Sequence, residues 1–466
     1  MTTRIDWRAL WRTGDLARFC FISLGILLHA TNETMVATIM PAMVGDISGV
    51  QLVGWSLAIY ELGSITAGAA TGRLLTYAPI RTNMVIAALL YAAGCLACAA
   101  SPSMAWLLAG RLLQGMGGGA LVGFAFVSVE RLFPRDIWPQ LFGILSAVWG
   151  VAAFSGPLLG ALIAGALSWR WAFGLFSIGG IVMAGASLIV LRGAAARGTM
   201  SAEKPPAFPT ATLACLSASV MLIAYAGLEI EWRRSSLLLV LGILGLALFL
   251  HLDARNPAAR LFPSRPFAIG TPVGAGMLMI ACFATATCSF GLYGPLLLTS
   301  LHGIPVLTAG YIIAAESIGW SALSILVSHA PRRVERFIIL TGALMITTGI
   351  AGFAYAVPRG SIPLILACAI LQGGGFGIAW PFLTRLIVAS VPPSESTIAS
   401  SAVSTLPRMG YAVGSALTGM LANALGFSQG LTAETAAGVA AWLFISFIPL
   451  ALVGCLAALR LIWKMT

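Results

Sequence analysis

The feature of the sequence that most limits its fold is a long series of apolar runs, each about 20 residues or longer. A helix of that length crosses the hydrocarbon core of a bilayer, where lipid offers no partners to backbone N–H and C=O groups. Hydrophobic residues make up 59% of the chain and charged residues only 9%, with a mean hydropathy of +0.96, far outside the range of soluble domains. The short alternating strands of a barrel are absent. The sequence therefore predicts an all-α polytopic membrane protein.

Fourteen apolar segments are predicted to span the membrane. They lie roughly at 17–43, 51–77, 83–101, 104–131, 141–167, 171–191, 209–228, 236–252, 268–301, 306–328, 337–357, 361–391, 396–424 and 437–462. Two polar gaps, 192–208 and 253–267, flank the seventh and eighth segments. We therefore expect an N-terminal six-helix half (1–191), a middle part with cytoplasmic linkers and two extra helices (192–267), and a C-terminal six-helix half (268–466).

The net charge of +11 is distributed as membrane topology predicts, rather than as the basic, aromatic-interleaved stripe of a nucleic-acid-binding protein. Lys and Arg concentrate in alternate gaps: from Arg4 to Arg18, at Arg73 and Arg81, at Arg131 and Arg135, from Arg192 to Lys204, from Arg255 to Arg265, from Arg332 to Arg336, and at Arg460 and Lys464. Because cytoplasmic loops carry an excess of basic residues, both termini are predicted to be cytoplasmic.

No sequence pattern indicates a metal, a nucleotide or a catalytic centre. The eight Cys are scattered, and the single C-x-x-C, Cys95 and Cys98, lies inside an apolar run without a second pair or a nearby His. There is no Gly-rich nucleotide-binding loop, and the four His do not cluster. A membrane enzyme is therefore not expected, and no cofactor is predicted.

An internal repeat supports the arrangement in halves. Leu113-Gln114-Gly115 recurs as Leu371-Gln372-Gly373, an offset of 258 residues, and Gly156 matches Gly414 at the same offset. The fourth predicted helix thus corresponds to the twelfth and the fifth to the thirteenth, which leaves two extra helices between the halves. Halves related in this way enclose a substrate cavity near the bilayer midplane, so a cavity between them is expected.

Two motifs carry a resemblance to a known family. Arg111-Leu-Leu-Gln114-Gly115-Met-Gly117 resembles motif B of the major facilitator superfamily. The pattern of Gly150, Gly156, Pro157 and Gly160 resembles its motif C, which is characteristic of antiporters. Nearly the whole chain resembles the drug:proton antiporter branch with fourteen helices, although the acidic member of motif A is missing near Gly72.

The resemblance implies a monomeric secondary transporter of the bacterial cytoplasmic (inner) membrane. It would export small amphiphilic or drug-like molecules by proton antiport and alternating access, with small-molecule substrate, protons and lipid as its partners and no nucleic acid. The alternative is a proton-coupled exporter or importer of a specific metabolite or siderophore, with the same fold.

Five residues are candidates for proton coupling: Glu33, Arg111, Glu61, Glu316 and His29. Charged groups inside apolar helices are costly unless they face a cavity or a partner, and His29 lies one turn before Glu33 on the same helical face. Glu61 and Glu316 are 255 residues apart, which suggests that they are related by the repeat. The alternatives are structural: Arg111 reaching an interface, Glu33 hydrogen-bonded to its neighbours, His29 in packing, and Glu316 paired with Arg408.

Ten residues are candidates to line the substrate cavity: Asn32, Trp55, Tyr60, Gln114, Trp149, Tyr293, Trp320, Gln372, Trp380 and Arg408. Their aromatic surface suits a lipophilic or planar substrate. Any single aromatic residue among them could equally be in an interfacial belt or in helix packing.

Overall fold

The computed structural model describes Leu10 and residues 12–134, 137–192, 207–327, 330–427 and 433–463. Within these residues the chain is α-helical apart from short 3-10 turns and connecting segments, and contains no strand. The predicted all-α class is confirmed. Arg4, Arg8, Arg135, Lys204, Lys464 and most of the first predicted linker, 193–206, lie outside the described residues.

Fifteen α-helices are present in this part of the chain. They are α1 (Asp15–Ile47), α2 (Val53–Tyr77), α3 (Ile80–Ala99), α4 (Met104–Leu132), α5 (Trp138–Ala166), α6 (Trp169–Val190), α7 (Thr210–Ala226), α8 (Trp232–Arg255), α9 (Pro272–His302), α10 (Val306–Val327), α11 (Glu335–Arg359), α12 (Ile362–Ala389), α13 (Ser396–Ala424), α14 (Ala433–Ile445) and α15 (Ile448–Trp463).

Among the described residues, eleven spans are long and apolar enough to cross a bilayer, with Ala437–Trp463, parts of α14 and α15, counting as one. The remaining helices are α2 and α13, which are long but less apolar, and α7, which has 17 residues. Together they are consistent with the fourteen predicted spans. The two long, less apolar helices α2 and α13 each carry a charged residue in their interior, Glu61 and Arg408 respectively. These two side chains pair with each other.

Helix ends follow local capping chemistry. The Ser103 hydroxyl accepts a hydrogen bond from the backbone N–H of Trp106 at the start of α4, and Thr271 caps α9 in the same way through Gly274. At the C-termini of α9 and α11, Gly303 and Gly360 adopt φ values of 61° and 66°, which residues with a Cβ rarely adopt. The short turns at these positions therefore have direct sequence causes.

The chain folds as two compact units. The first contains residues 1–36 and 62–208, and the second contains residues 37–61 and 209–466. The extra helices α7 and α8 thus belong to the second unit, while α1 and α2 each pass from one unit to the other along their length. The three-part division at 191 and 267 stays a prediction.

Segment 37–61 is held in the second unit by close backbone contacts. A Cβ at Gly54 would lie 2.7 Å from the Cα of Gly419 on α13, closer than real side chains approach. Asn423, also on α13, donates through Nδ2 to the backbone oxygens of Gln51 and Gly227, each at 2.9 Å. One amide therefore ties the α1–α2 connection and the end of α7 to α13.

The segment after α8 is folded rather than extended. The Asp253 carboxylate accepts hydrogen bonds from the backbone N–H groups of Leu261 and Phe262 at 2.7 and 3.1 Å. Phe262 is buried against Phe249, with ring centroids 6.0 Å apart. The gap predicted as a polar linker is thus a compact connection.

Candidate functional site

The interior of the first unit contains an arginine cluster, defined as Arg111, Asn32 and Gln114. All three side chains are fully buried. One guanidinium nitrogen of Arg111 donates to Asn32 Oδ1 at 3.2 Å and to Gln114 Oε1 on the next turn of α4, and Gln114 Nε2 contacts Cys95 Sγ at 3.0 Å. Asn32 Nδ2 has no hydrogen-bond partner among the described residues. Arg111 is thus solvated by amide oxygens inside the unit and does not reach an interface.

His29 and Glu33 form a pair one turn apart on α1, with 3.5 Å between Nε2 and Oε2. His29 is fully buried, whereas the Glu33 side chain is 16% exposed. The imidazole packs against α4 at Gly118, where a Cβ would overlap Nδ1, and edge-on against Trp149 of α5 at 5.9 Å between centroids. The structure therefore brings the predicted residues His29, Glu33 and Trp149 together, and the imidazole packs against both α4 and α5.

The small residues of α5 fit closely against α1. A Cβ at Gly156 would overlap the Thr34 hydroxyl and lie 2.6 Å from the carbonyl oxygen of Thr31. Thr34 also donates to the carbonyl oxygen of Ala152 at 3.1 Å. Pro157 lies inside α5, and its ring leaves a carbonyl without the usual intrahelical donor. Of the remaining motif C residues, Gly160 is buried and Gly150 is partly exposed.

In the second unit, Glu61 and Arg408 form an ion pair with 3.3 Å between Oε2 and a guanidinium nitrogen. Glu61 is fully buried and the Arg408 side chain is 17% exposed. The pair joins α2 to α13, as the Gly54–Gly419 contact also does. The alternative in which Arg408 pairs with Glu316 is not what the structure shows.

Glu316 instead accepts a hydrogen bond from Gln372 Nε2 at 2.9 Å. One turn along α10, Trp320 stacks on Phe376 of α12 with centroids 5.1 Å apart and an interplanar angle of 5°, and contacts Trp380 at 5.9 Å. We call Glu316, Gln372, Trp320, Phe376 and Trp380 the acidic–aromatic stripe. It unites four of the predicted residues, and Phe376 is an addition that sequence reasoning missed.

Glycine contacts define how the repeat relates α2 and α4 to α10 and α12. Gly63 on α2 faces the backbone oxygen of Leu112 on α4, and a Cβ there would lie 2.7 Å from it. Gly319 on α10 faces the corresponding oxygen of Ile370 on α12 at 3.0 Å. The α4 and α12 positions differ by 258 residues, whereas the α2 and α10 positions differ by 256.

The two carboxylates, 255 residues apart, are therefore one residue out of register. Glu316 corresponds to Tyr60 and Glu61 to Ser317. Since each helical residue turns the side chain by about 100°, Glu61 faces α13 and Glu316 faces α12. The two acids, although similarly placed in sequence, have different partners.

The remaining predicted cavity residues are not gathered into these clusters. Tyr60 and Tyr293 are fully buried, and Tyr293 packs edge-on against Phe427 at 5.1 Å. Trp55 is partly exposed. Sequence reasoning also missed an ion pair between Glu335, at the start of α11, and Arg385, near the end of α12.

Comparison with known proteins identifies the family. The model of the Major Facilitator Superfamily matches residues 22–359, well over half of the chain. The chain belongs to the Major Facilitator Superfamily. A probable multidrug-efflux transporter of Mycobacterium tuberculosis (strain ATCC 25618 / H37Rv) is 29% identical, over 97% of this chain and 96% of the relative. The multidrug transporter protein MdtP of Bacillus subtilis (strain 168) is 23% identical, over 86% of this chain and 74% of the relative.

Solved structures agree on the fold of this superfamily member. A D-xylose-proton symporter matches with a TM-score of 0.65 at 16% identity, covering 96% of this chain and 97% of the symporter. A bacterial homologue of the human lysosomal transporter Spinster matches with a TM-score of 0.64 at 14% identity, covering 96% and 95%. Identities this low establish the fold alone. Together with the family match, they confirm a multi-pass membrane transporter rather than an enzyme.

Proposed function

We propose that this superfamily member exports small amphiphilic or drug-like molecules by proton antiport and alternating access. It acts as a monomer in the bacterial cytoplasmic membrane, with both termini on the cytoplasmic side. Export is supported by the multidrug-efflux relatives, one of which aligns along nearly its full length. It is supported further by the motif C contact, where Gly156 brings α5 against the polar part of α1.

The observation that carries proton coupling is the position of the His29–Glu33 pair beside the arginine cluster. Asn32, which accepts from Arg111, is the chain neighbour of Glu33. An arginine does not lose its proton in a protein, so the charge of Arg111 stays constant during a transport cycle. Any change in the charge of this region therefore falls on His29 and Glu33.

This arrangement suits an exchange in which one proton replaces substrate. Moving an extra charge through a low-dielectric interior is expensive, so a carboxylate that loads a proton before the protein reorients lowers the cost of that step. The 16% exposure of the Glu33 side chain, against full burial of His29, makes Glu33 the group that meets water and His29 its inner partner.

Inverted vesicles with a pH-sensitive dye inside test this function directly. Addition of a transported drug should release protons in vesicles containing the wild-type protein, and Glu33→Gln should abolish that release while uncoupled drug flux persists. Glu229→Gln, which changes a carboxylate whose side chain is 81% exposed, is the matched control and should behave like wild type. Drug transport that ignores the proton gradient would contradict antiport, and intact coupling in Glu33→Gln would contradict the role of Glu33.

A further inference from the structure

The acidic–aromatic stripe combines one carboxylate, one amide and three aromatic rings on two adjacent helices. Glu316 and Trp320 are one turn apart on α10, and Gln372, Phe376 and Trp380 follow one another at single turns on α12. The eight residues from Gln372 to Trp380 rise about 12 Å along the helix. The carboxylate lies at one end of this length and the indoles at the other.

Close backbone contact keeps the two helices in register along the stripe. A Cβ at Gly373 would overlap the carbonyl oxygen of Glu316, and a Cβ at Gly377 would overlap that of Trp320. Glycines four residues apart allow helices to approach closely in a membrane. The stripe is therefore a preformed surface, which reduces the conformational entropy that a ligand would otherwise have to offset.

Part of this surface is open and part of its hydrogen-bonding capacity is unused. Glu316, Trp320 and Trp380 are each partly exposed. Gln372 is fully buried, its Nε2 is committed to Glu316, and its Oε1 accepts no hydrogen bond from any described residue. A partly exposed carboxylate at one end of this surface favours a positively charged ligand.

The aromatic end adds a second requirement. Trp320 and Phe376 are stacked with their rings parallel and offset, and a planar ring system can extend such a stack. We propose that the acidic–aromatic stripe is a binding subsite for planar aromatic monocations, with the positive charge at Glu316 and the ring system against Trp320, Phe376 and Trp380. The inference rests on the proposed export function and names the substrate class that the function leaves open.

A pair of probes that differ mainly in charge tests the subsite: N-methylacridinium, a permanent cation, and acridine, which is neutral at pH 8. Binding of each to the purified full chain in lipid nanodiscs is measured by fluorescence titration without a proton gradient. Wild type should bind the cation at least tenfold more tightly than acridine, and Glu316→Gln should bring the ratio of dissociation constants close to one. Trp320→Leu should weaken both probes by a similar factor of several-fold.

Controls keep the result interpretable. Glu316→Asp retains the charge and should keep most of the preference for the cation, which also covers the case in which Glu316→Gln does not fold. Glu229→Gln and Trp442→Leu alter a carboxylate and an indole that are both largely exposed in the same unit, and neither should change either affinity. An unchanged preference in folded Glu316→Gln, or one lost equally in Glu229→Gln, would overturn the subsite.

The outcome separates the two proposals. A charge preference that depends on Glu316, in a protein that releases no protons on drug addition, would overturn proton antiport and keep the subsite. Proton-coupled drug export in a protein that binds N-methylacridinium and acridine equally well would overturn the subsite and keep proton antiport.

Discussion

Gln114 and Gln372 occupy equivalent places in the two units, but their side chains contact charges of opposite sign. In the first unit, Gln114 presents its oxygen to the guanidinium of Arg111 and its nitrogen to Cys95. In the second, Gln372 presents its nitrogen to the carboxylate of Glu316. The same buried amide thus stabilises a positive charge in one unit and a negative charge in the other. A repeated scaffold can therefore carry charges of opposite sign with no change in its glutamines.

The comparison also shows where the two copies of the sequence repeat differ. Arg111 corresponds to Ala369 on α12, and Glu316 corresponds to Tyr60 on α2, so neither charge has a counterpart at its equivalent position. The helix frame was retained while the polar groups were placed on different helices. The two proposals place protons in the first unit and cationic substrate in the second, and the following experiments test this division.

The largest effect is expected from Arg111→Met. The substitution removes the fixed positive charge and leaves the buried oxygens of Asn32 and Gln114 without their donor, and hydrogen bonds to a charged group are worth about 1.5–3 kcal/mol. Proton release in inverted vesicles should fall roughly 10- to 100-fold. N-methylacridinium binding should stay within about twofold of wild type. Loss of cation binding with proton release intact would reverse the assignment of the two units.

Gly156→Ala should lower stability by about 1–3 kcal/mol, because the new methyl group meets a backbone oxygen that cannot move away easily. Gly414→Ala in the second unit meets the carbonyl oxygen of Thr285 at 2.5 Å and should cost a similar amount. Gly165→Ala, with nothing within 4 Å, is the matched control and should leave stability unchanged or raise it slightly. Thermal melting in detergent measures all three, and a neutral Gly156→Ala would show that the α1–α5 contact is loose.

The two glutamines provide the most direct comparison. Gln114→Leu should reduce proton release several-fold and leave the charge preference for N-methylacridinium unchanged, since only the surroundings of Arg111 change. Gln372→Leu should lower that preference several-fold and leave the maximal proton release at saturating drug unchanged. Proton release in vesicles and probe binding in nanodiscs are measured for both variants. Equal changes in both quantities for Gln114→Leu and Gln372→Leu would contradict the division between the units.

The smallest effect concerns an anchor outside the membrane-spanning helices. Glu395 accepts hydrogen bonds from the backbone and hydroxyl of Ser264, and these, with a smaller contribution from Arg260, lower the pKa of Glu395 below its ordinary value of 4.5. Because the pKa is lower in the folded state, this contribution to stability is present above pH 4.5 and is lost as pH falls through the folded pKa.

Glu395→Gln should therefore remove a stabilisation of under about 1 kcal/mol at neutral pH and flatten the dependence of melting temperature on pH below 4.5. Melting curves between neutral and acidic pH measure the difference. An equally steep acid limb in Glu395→Gln would assign the dependence to other carboxylates.

Much of the fold could be predicted from the sequence because lipid restricts a chain to helices whose length and apolarity are visible in one dimension. The short α7 and the interruption between α14 and α15 did not alter the expected number of spans. Residues close in sequence, such as His29 and Glu33, were also paired correctly, since a helix places such neighbours on one face.

Partners on different helices were predicted less well. Arg408 was considered as a partner for Glu316, but it pairs with Glu61. The two acids are one residue closer in sequence than the offset between α2 and α10, so they face different helices. A single residue turns a side chain by about 100°, which is beyond the precision of a repeat read from two short motifs. The loop segment around Asp253 looked like a polar linker because its hydrogen bonds run to backbone groups, which carry no sequence signal.

The position of segment 37–61 has a consequence for dividing the gene. A cut between 208 and 209 follows the boundary of the units in sequence, yet it leaves Gly54 and Glu61 on one fragment and their partners Gly419 and Arg408 on the other. Fragments 1–208 and 209–466 would therefore act as obligate complements rather than as autonomous modules. In a chimera that replaces residues 209–466 with those of a relative, α13 would no longer match segment 37–61. Residues 37–61 should therefore be exchanged together with 209–466.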